Sequence, residues 1–352
     1  MKFAILGAGN TGKAYSAFLS HGGHQVLLYD RSQERLAPIQ ARGISATGVV
    51  EGRFPVPVTT QLEDCGDSDV ILVCTVAAGH RPLAAGLGGV LRPGQIILVT
   101  NCCWGAVEFD MELGAEAERK GCPIGETGGQ LILCSSPAPD AVYLKTVKKS
   151  MGLACVRPGD TAGVLERLAP VFPQLCPAAN VLETGFEGAG AMLHPIPSLM
   201  NINKMDLGQS YDYYMEGITP HIADIISACD KERVAVCRAL GVDALALGDM
   251  LVKTYKLEPK DSLYDLIQSI ESYRALRNPT NTKHRFIVED TMSGLVPLAS
   301  VGHALGIPTP MMDAFVNIAS AVCGRDFWKE GRTAEKLGMA GKTLEEIQEM
   351  VR

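Results

Sequence analysis

The sequence predicts an α/β protein in which a doubly wound, largely parallel sheet is followed by an all-α C-terminal domain. Four compact apolar runs, at residues 3–6, 26–29, 70–73 and 96–99, alternate with helical patterns in the first half of the chain. Such runs are typical of strands that helices cover on both faces. In the second half long helical patterns dominate, at residues 217–240, 262–273 and 310–322.

The shorter patterns of the first half complete this arrangement. A helical pattern between the first two runs ends at Gly22-Gly23, which makes a βαβ unit. Further strands, the last two of them extending the same sheet, are expected at residues 44–50, 56–60, 124–126 and 132–133. The change of pattern places the domain boundary near residue 184, so the domains are predicted as 1–184 and 185–352.

The composition excludes several classes of protein. The chain has 352 residues, of which 47% are hydrophobic and 20% charged, enough for two domains with a sizeable core. A net charge of −7 argues against a nucleic-acid-binding surface and offers no attraction for anionic lipid. We therefore expect small-molecule partners, with no nucleic acid and no membrane.

The 11 cysteines indicate a reducing compartment. Only Cys102 and Cys103 are adjacent, and there is no C-x-x-C motif and no metal-ligand spacing. The N-terminus runs directly into glycines and leaves no apolar segment for a signal peptide. These features predict a cytoplasmic protein without a metal site.

The first predicted strand leads into a phosphate-binding motif. Residues Gly7-Ala8-Gly9-Asn10-Thr11-Gly12 match G-x-G-x-x-G between a strand and a helix, and in that setting the motif is specific. Gly7 permits a tight turn, Gly9 lets the backbone approach a pyrophosphate, and Gly12 permits close helix packing. Because the helix N-terminus attracts anions, residues 7–12 predict a Rossmann-like dinucleotide-binding domain.

Asp30 and Arg31 bear on the choice of cofactor. Asp30 ends the second predicted strand, 18 positions after Gly12. A carboxylate there accepts hydrogen bonds from the adenosine ribose and repels a 2′-phosphate, whereas Arg31 could accommodate that phosphate. The expected cofactor is NAD, with NADP as the alternative, and Arg31 could equally be a solvated turn residue.

Two segments are expected near the nicotinamide. Thr75 follows the strand at residues 70–73, and Asn101 follows the strand at residues 96–99. Both lie at the carboxyl edge of the sheet, where ligands bind in doubly wound folds. His80 closes the first of these segments and is either part of the site or an ordinary loop histidine.

Two polar groups stand out in the C-terminal domain. His194 precedes Pro195, which suits a helix start and should bias His194 towards an extended backbone. A second segment, residues 284–290, carries two basic and two acidic side chains, including Arg285 and Asp290. Taken alone, His194 could be a core histidine and residues 284–290 a surface salt-bridge cluster.

Several ordered motifs of this second half resemble those of the opine dehydrogenase family, and the resemblance covers almost the whole chain. They are Gly-Ala-Met-Leu-His-Pro at 190–195 with Asn201 downstream, Tyr-Tyr-Met-Glu-Gly-Ile-Thr-Pro at 213–220, His-Arg-Phe-Ile-Val-Glu-Asp at 284–290, Gly-Leu-Val-Pro at 294–297, Pro-Thr-Pro at 308–310, and Gly-Arg-Thr at 331–333 with Leu-Gly at 337–338.

The resemblance implies a reaction and a set of residues. Opine dehydrogenases join the amino group of an amino acid to a 2-oxo acid by reductive condensation, using NAD(P)H. The family's catalytic pair maps to His194 and Asp290, and its carboxylate-binding basic residue to Arg285. Asn201 would either bind substrate or orient the helix of His194. Histidine suits the proton transfers of this reaction, because its side chain titrates near neutral pH.

Two other functions remain open at the level of sequence. One is a 2-oxo or 2-hydroxy acid dehydrogenase on the same scaffold, which would need no amine. The other is a non-enzymatic NAD(P)-binding sensor, against which the retention of His194, Arg285 and Asp290 argues. A homodimer through the helical domain is one option for assembly, and neither the amino acid nor the physiological direction is indicated.

Overall fold

The computed structural model describes residues 1–100 and 103–351. The chain divides into two compact units, Met1–Gly185 together with Val351, and Phe186–Met350. Within the described ranges, no helix is long and apolar enough to cross a membrane.

The strands of the first unit form two sheets. Their bounds are β1 Lys2–Leu6, β2 Gln25–Tyr29, β3 Ile44–Gly48, β4 Gly52–Phe54, β5 Val58–Thr59, β6 Val70–Val73, β7 Ile96–Val99, β8 Ile124–Thr127, β9 Ile132–Ala138, β10 Ala141–Val147, β11 Met151–Cys155 and β12 Leu175–Pro177. The larger sheet has the order β12-β11-β8-β7-β6-β1-β2-β5, and its neighbours run parallel except β11 and β8.

The apolar runs place the centre of this sheet in the core. Every residue of β6 and β7 is buried, as is every residue of β1 after Lys2. The helices that begin in the unit are α1 Asn10–His21, α2 Gln33–Arg42, α3 His80–Leu87, α4 Gly105–Arg119, α5 Thr161–Leu168 and α6 Val181–Phe186. The predicted βαβ start is confirmed as β1, α1 and β2.

The smaller sheet corrects one prediction. It has the order β4-β3-β10-β9, so residues 132–133 do not extend the main sheet. β9 instead forms an antiparallel hairpin with β10, which in turn pairs in parallel with β3. The tight connection between β9 and β10 allows local pairing, which a sequence pattern cannot distinguish from pairing with a distant strand.

The second unit is helical throughout its described elements. Its helices are α7 Gly190–Leu193, α8 Pro195–Met200, α9 Ile202–Asp206, α10 Pro220–Ala239, α11 Leu247–Tyr255, α12 Leu263–Ser269, α13 Arg285–Asp290, α14 Val296–Ala304, α15 Pro310–Cys323, α16 Phe327–Glu330 and α17 Leu344–Glu349. α10 begins at Pro220, where proline is favoured because the first helical N–H needs no intrahelical partner.

A π-helical segment joins α13 to α14. It spans Thr291–Leu295, so the chain remains helical from Arg285 to Ala304 with a local change of hydrogen-bond register. Such segments are rare and often occur at functional sites. This one starts directly after Asp290.

Candidate active site

Residues 7–12, the glycine loop, adopt the geometry that each glycine was expected to supply. Gly7 has a φ of 110°, in the region that favours glycine. A Cβ atom on Gly12 would overlap the Gly7 carbonyl oxygen, so only glycine permits this packing. A Cβ atom on Gly9 would meet nothing within 4 Å, which leaves open space beside the backbone.

A pocket of about 350 Å³ opens at this loop, on the carboxyl edge of the sheet. α1 starts at Asn10 with Gly9 as its N-cap, so free backbone N–H groups and a partial positive charge lie at the loop. Within the described residues the pocket is lined by Gly7, Gly9, Tyr29, Asp30, Arg31, Arg35, Leu62, Cys74, Thr75, Val76, Ala78, Gly79, Pro82 and Leu83. These residues fit a dinucleotide.

Asp30 has contacts within the protein as well as a place in the pocket. Its Oδ2 accepts a hydrogen bond from the Ala8 N–H at 2.9 Å, and its Oδ1 accepts one from the Ser32 N–H at 2.9 Å. Arg35 lies 3.8 Å from the carboxylate, and the Asp30 side chain is only 7% exposed. The carboxylate thus anchors the glycine loop to the start of α2.

The other predicted cofactor residues have different placements. Thr75 lines the pocket, whereas Asn10 and Thr11 form the first turn of α1 and do not line it. Asn101 lies outside the described residues. His80 is not a loop residue: it begins α3, has no exposed surface, packs against Phe109 and does not line the pocket.

In the second unit the structure brings His194 and Asp290 together. His194 Nδ1 lies 3.0 Å from Asp290 Oδ2, although the two residues are 96 positions apart. Each side chain is 16% exposed. The other ring nitrogen, Nε2, lies 3.0 Å from the Tyr214 hydroxyl, and the ring stacks on Phe286 with 3.9 Å between centroids.

Small residues allow this approach. A Cβ atom on Gly190 would lie 2.8 Å from an Asp290 oxygen, and one on Gly294 would lie 2.9 Å from the Ala191 Cβ. α7 therefore packs directly against α13 and the π-helical segment. This close packing places His194, at the end of α7, opposite Asp290.

The backbone of His194 corrects the expectation of an extended conformation. Its φ and ψ are −113° and −61°, in the right-handed helical region. The His194 N–H donates to the Gly190 carbonyl, and the His194 carbonyl accepts from the Ser198 N–H. These hydrogen bonds continue the helix through the residue before Pro195 and outweigh its local preference for an extended chain.

Burial and neighbouring charges determine the ionisation of Asp290 and His284, which surround the His194 imidazole. Burial by itself raises the pKa of the Asp290 carboxyl, but the charge and hydrogen bond of His194 outweigh it, so the pKa lies below its ordinary value. Burial, with the charges of Arg285 and His194, lowers the pKa of His284 to about 4. Asp290 is therefore anionic and His284 neutral at neutral pH.

Arg285 and Asn201 differ in character. Arg285 is the first residue of α13 and is exposed, and its charge acts on both Asp290 and Tyr214. Asn201 is buried, and its amide donates to the carbonyl oxygens of Pro197 and Gly217. Asn201 thus joins the end of α8 to the segment that carries Tyr214.

Sequence reasoning assigned no role to Tyr214 or Phe286, although both lie in motifs of the resemblance. Their contacts with His194 depend on how three segments pack, and no spacing rule reports that. Among the described residues, no group of three or more His, Cys, Asp or Glu side chains could hold a metal ion.

A parallel sheet with a glycine loop at its carboxyl edge, in a chain that also carries a helical unit with a His–Asp pair, defines an NAD(P)-dependent oxidoreductase. Residues 177–323 match the family model of the NAD/NADP octopine/nopaline dehydrogenase α-helical domain, and residues 3–108 match that of ketopantoate reductase PanE/ApbA.

The chain is 34% identical to the opine dehydrogenase of Arthrobacter sp. (strain 1C), with 99% of this chain and 98% of that protein covered. It therefore belongs to the opine dehydrogenase family. Its reaction is the NAD(P)H-dependent condensation of an amino acid with a 2-oxo acid, or the reverse oxidation.

Solved structures share the fold. Octopine dehydrogenase with NADH and pyruvate superposes with a TM-score of 0.75 at 18% identity, over 99% of this chain and 98% of that one. Yersinopine dehydrogenase with NADP⁺ gives a TM-score of 0.75 at 16% identity, over 100% and 97%.

Proposed function

We propose that His194 and Asp290 form the acid–base pair of this opine dehydrogenase. The observation that carries the proposal is the 3.0 Å contact between His194 Nδ1 and Asp290 Oδ2. An anionic Asp290 can only accept a hydrogen bond, so Nδ1 carries a proton and Nε2 carries the in-plane lone pair. Asp290 thereby sets the tautomer and stabilises the imidazolium once it forms.

The reaction needs such a pair in both directions. Condensation passes through a carbinolamine that loses water, and the leaving hydroxyl must gain a proton. In the oxidative direction the secondary ammonium must lose a proton before its carbon can give up a hydride. When bound, the nicotinamide cofactor accepts or supplies that hydride, and His194 holds or releases the proton.

We propose that Arg285 binds the carboxylate of the 2-oxo acid. Its guanidinium is exposed and lies near the pair, since its charge acts on Asp290. A planar guanidinium matches a carboxylate through two parallel hydrogen bonds. Asn201, with its amide engaged by two backbone carbonyls, is proposed as a residue that orients the segments of the site.

For the cofactor we propose binding at the glycine loop, with NAD preferred. The open space beside Gly9 and the N-terminus of α1 suit the pyrophosphate. Asn10, Thr11, Thr75 and Asn101 remain proposed cofactor contacts. The proteins with similar structures hold NADH in one case and NADP⁺ in the other, so NADP is the alternative.

A substrate screen tests the proposed function. NADH oxidation is followed with pyruvate alone and with pyruvate plus each of a panel of amino acids. An opine dehydrogenase turns over only when amine and oxo acid are both present. Turnover with the oxo acid alone would indicate the simple oxo acid dehydrogenase, and NADH binding without turnover in any mixture would indicate the sensor.

We further propose a cytoplasmic location and a homodimer. The cysteines within the described residues are all free thiols, which suits a reducing compartment. Sedimentation of the purified chain would test the homodimer.

A further inference from the structure

The hydrogen-bonding position of His194 Nε2 is occupied by a protein group. An imidazole nitrogen has one lone pair, which points outwards in the plane of the ring. For Nε2 the Tyr214 hydroxyl lies at that position, 3.0 Å away. A substrate can therefore exchange a proton with Nε2 only through the Tyr214 hydroxyl or after Tyr214 has moved.

Packing opposes movement of Tyr214. Its ring stacks on Tyr273 with 4.0 Å between centroids and 16° between planes, and meets the edge of Tyr213 at 5.0 Å. Tyr214 as a whole is only 3% exposed. Swinging it away would break the stack and leave a void in a close-packed cluster, which is costly.

We propose that Tyr214 is the proton relay between His194 and the substrate amine, an inference that rests on the acid–base role proposed for His194. In the oxidative direction the substrate ammonium gives its proton to the Tyr214 hydroxyl oxygen. The proton of that hydroxyl passes in the same step to His194 Nε2. His194 becomes the imidazolium, the substrate nitrogen regains its lone pair, and Tyr214 ends as it began, a neutral phenol.

The surroundings agree with a relay that does not ionise. Burial, with the nearby Tyr255 and Asp290, holds the pKa of the Tyr214 hydroxyl far above its ordinary value. Asp290 is the anion facing the imidazole, Arg285 is the nearby cation, and His284 is neutral above a pKa of about 4. After the transfer, the positive charge of the accepted proton therefore lies on His194, beside the Asp290 carboxylate.

Tyr214→Phe tests the relay, with Tyr255→Phe as its matched control. Tyr255 lies edge-on to Tyr273 in the same aromatic cluster, with 5.6 Å between ring centroids, and its hydroxyl bonds to Tyr273. We expect Tyr214→Phe to lower kcat by about 100-fold while leaving NADH affinity unchanged, the lower end of a general acid–base contribution. Tyr255→Phe should keep kcat near that of the wild type. A Tyr214→Phe enzyme as fast as the wild type would overturn the proposal, because Nε2 would then act directly.

A second variant distinguishes a proton relay from a residue that only orients the His194 ring. It also provides a test of the relay if the Tyr214→Phe protein does not fold. Site-specific replacement of Tyr214 by 2,3-difluorotyrosine keeps the hydroxyl and the stack but makes the phenol more acidic. A relay passes two protons through this hydroxyl in the rate-determining proton transfer, so kcat and its solvent deuterium isotope effect should both change with the acidity of the phenol. A residue that only orients the ring would leave both unchanged, and that result would overturn the relay.

His194→Ala in the same assay distinguishes the two levels of the argument. If His194→Ala is inactive while Tyr214→Phe is fully active, only the relay fails. If His194→Ala is itself active, the acid–base pair fails and the relay fails with it.

Discussion

His194 is held at three points, and each has a separate chemical consequence. The bond to Asp290 sets the tautomer, the bond to the Tyr214 hydroxyl orients the second nitrogen, and the stack on Phe286 holds the plane of the ring. An imidazole fixed in this way has lost its rotational freedom before substrate arrives, which is the preorganisation that efficient proton transfer needs.

Removing this imidazole should stop the chemistry without affecting cofactor binding. We expect His194→Ala to lower kcat by about two to four orders of magnitude and to leave NADH affinity unchanged. His303→Ala is the matched control, because His303 also lies 3.0 Å from an aspartate, Asp313, elsewhere in the helical unit. The measurement is NADH oxidation. A His194→Ala enzyme that keeps most of its kcat would show that His194 is a structural histidine of the core and not an acid–base residue.

The charge of Asp290 should matter separately from its shape. Asp290→Asn keeps the side-chain size but removes the negative charge that stabilises the imidazolium, so kcat should fall while the fold holds. If the two residues act as one unit, the double variant should be little slower than His194→Ala alone. Additive losses in steady-state kinetics would contradict a functional pair.

Sequence reasoning predicted His194, Asp290 and Arg285 from the motif pattern, and the structure brings the first two together. It assigned no role to Tyr214 or Phe286. Their hydrogen bond and stack with His194 exist only once α7, α13 and the segment at residues 211–217 have packed. The same packing explains why the prediction of an extended backbone at His194, made from the local preference before Pro195, was wrong.

Within the glycine loop, Gly9 is expected to affect cofactor binding, whereas Gly12 is needed for the packing of the loop. Gly9 has an ordinary extended backbone, and its Cβ position is empty, whereas a Cβ on Gly12 would overlap the Gly7 carbonyl. Gly9→Val should therefore fold normally and lose NADH binding, because its side chain fills the space for the pyrophosphate.

A fluorescence titration with NADH would measure this loss. Gly163→Val is the control, since a Cβ there also meets nothing within 4 Å but lies on α5, away from the loop. Unchanged NADH affinity in Gly9→Val would show that the cofactor binds elsewhere. Gly12→Val is expected to destabilise the unit itself and is the poorer test.

The N-terminus of α13 should make the protein sensitive to acid. His284 Nδ1 accepts the Phe286 N–H and caps the helix, which requires the neutral imidazole. Its pKa is about 4 in the fold against an ordinary 6.5, so the folded state favours the neutral form. That contribution to stability is complete above pH 6.5 and is lost as the pH falls through 4.

The test compares the Tm of the wild type and of His284→Asn between pH 7.5 and pH 4. Asparagine also caps helices through a side-chain oxygen but does not titrate, so the variant should lose less Tm on acidification. Asp290 is present in both proteins, and its pKa lies below the ordinary value of 3.8, so it remains ionised over most of this pH range. Parallel curves would contradict the role given to His284.

Elements with a strong local signal were predicted closely, and those set by packing were not. The runs at residues 70–73 and 96–99 coincide with β6 and β7, because a buried central strand must be apolar along its whole length. The smaller sheet and the π-helical segment had no such signal. The first depends on the choice of strand partner, and the second on the contact of Gly294 with α7.

For the whole molecule, charge decides how an anionic cofactor is bound. The chain carries a net charge of −7, so the positive potential for a dinucleotide must come from local groups. In the pocket these are the N-terminus of α1, Arg31 and Arg35, set against the carboxylate of Asp30. The balance between these groups determines whether a 2′-phosphate is tolerated.

We expect the wild type to use NADH in preference to NADPH, because the Asp30 carboxylate repels a 2′-phosphate. Asp30→Ala should narrow that preference by leaving Arg31 and Arg35 to meet the phosphate. It should also weaken the binding of both cofactors, since the N–H groups of Ala8 and Ser32 lose their acceptor and the glycine loop loses its anchor.

Adding Arg35→Ala to Asp30→Ala should reduce NADPH binding again while changing NADH binding little. Titrations of nicotinamide fluorescence and kcat/KM with each cofactor provide the measurements. A wild-type enzyme that is about tenfold or more efficient with NADPH, equivalent to ~1.4 kcal/mol, would contradict the assignment, and the arginines rather than Asp30 would then govern the ribose site.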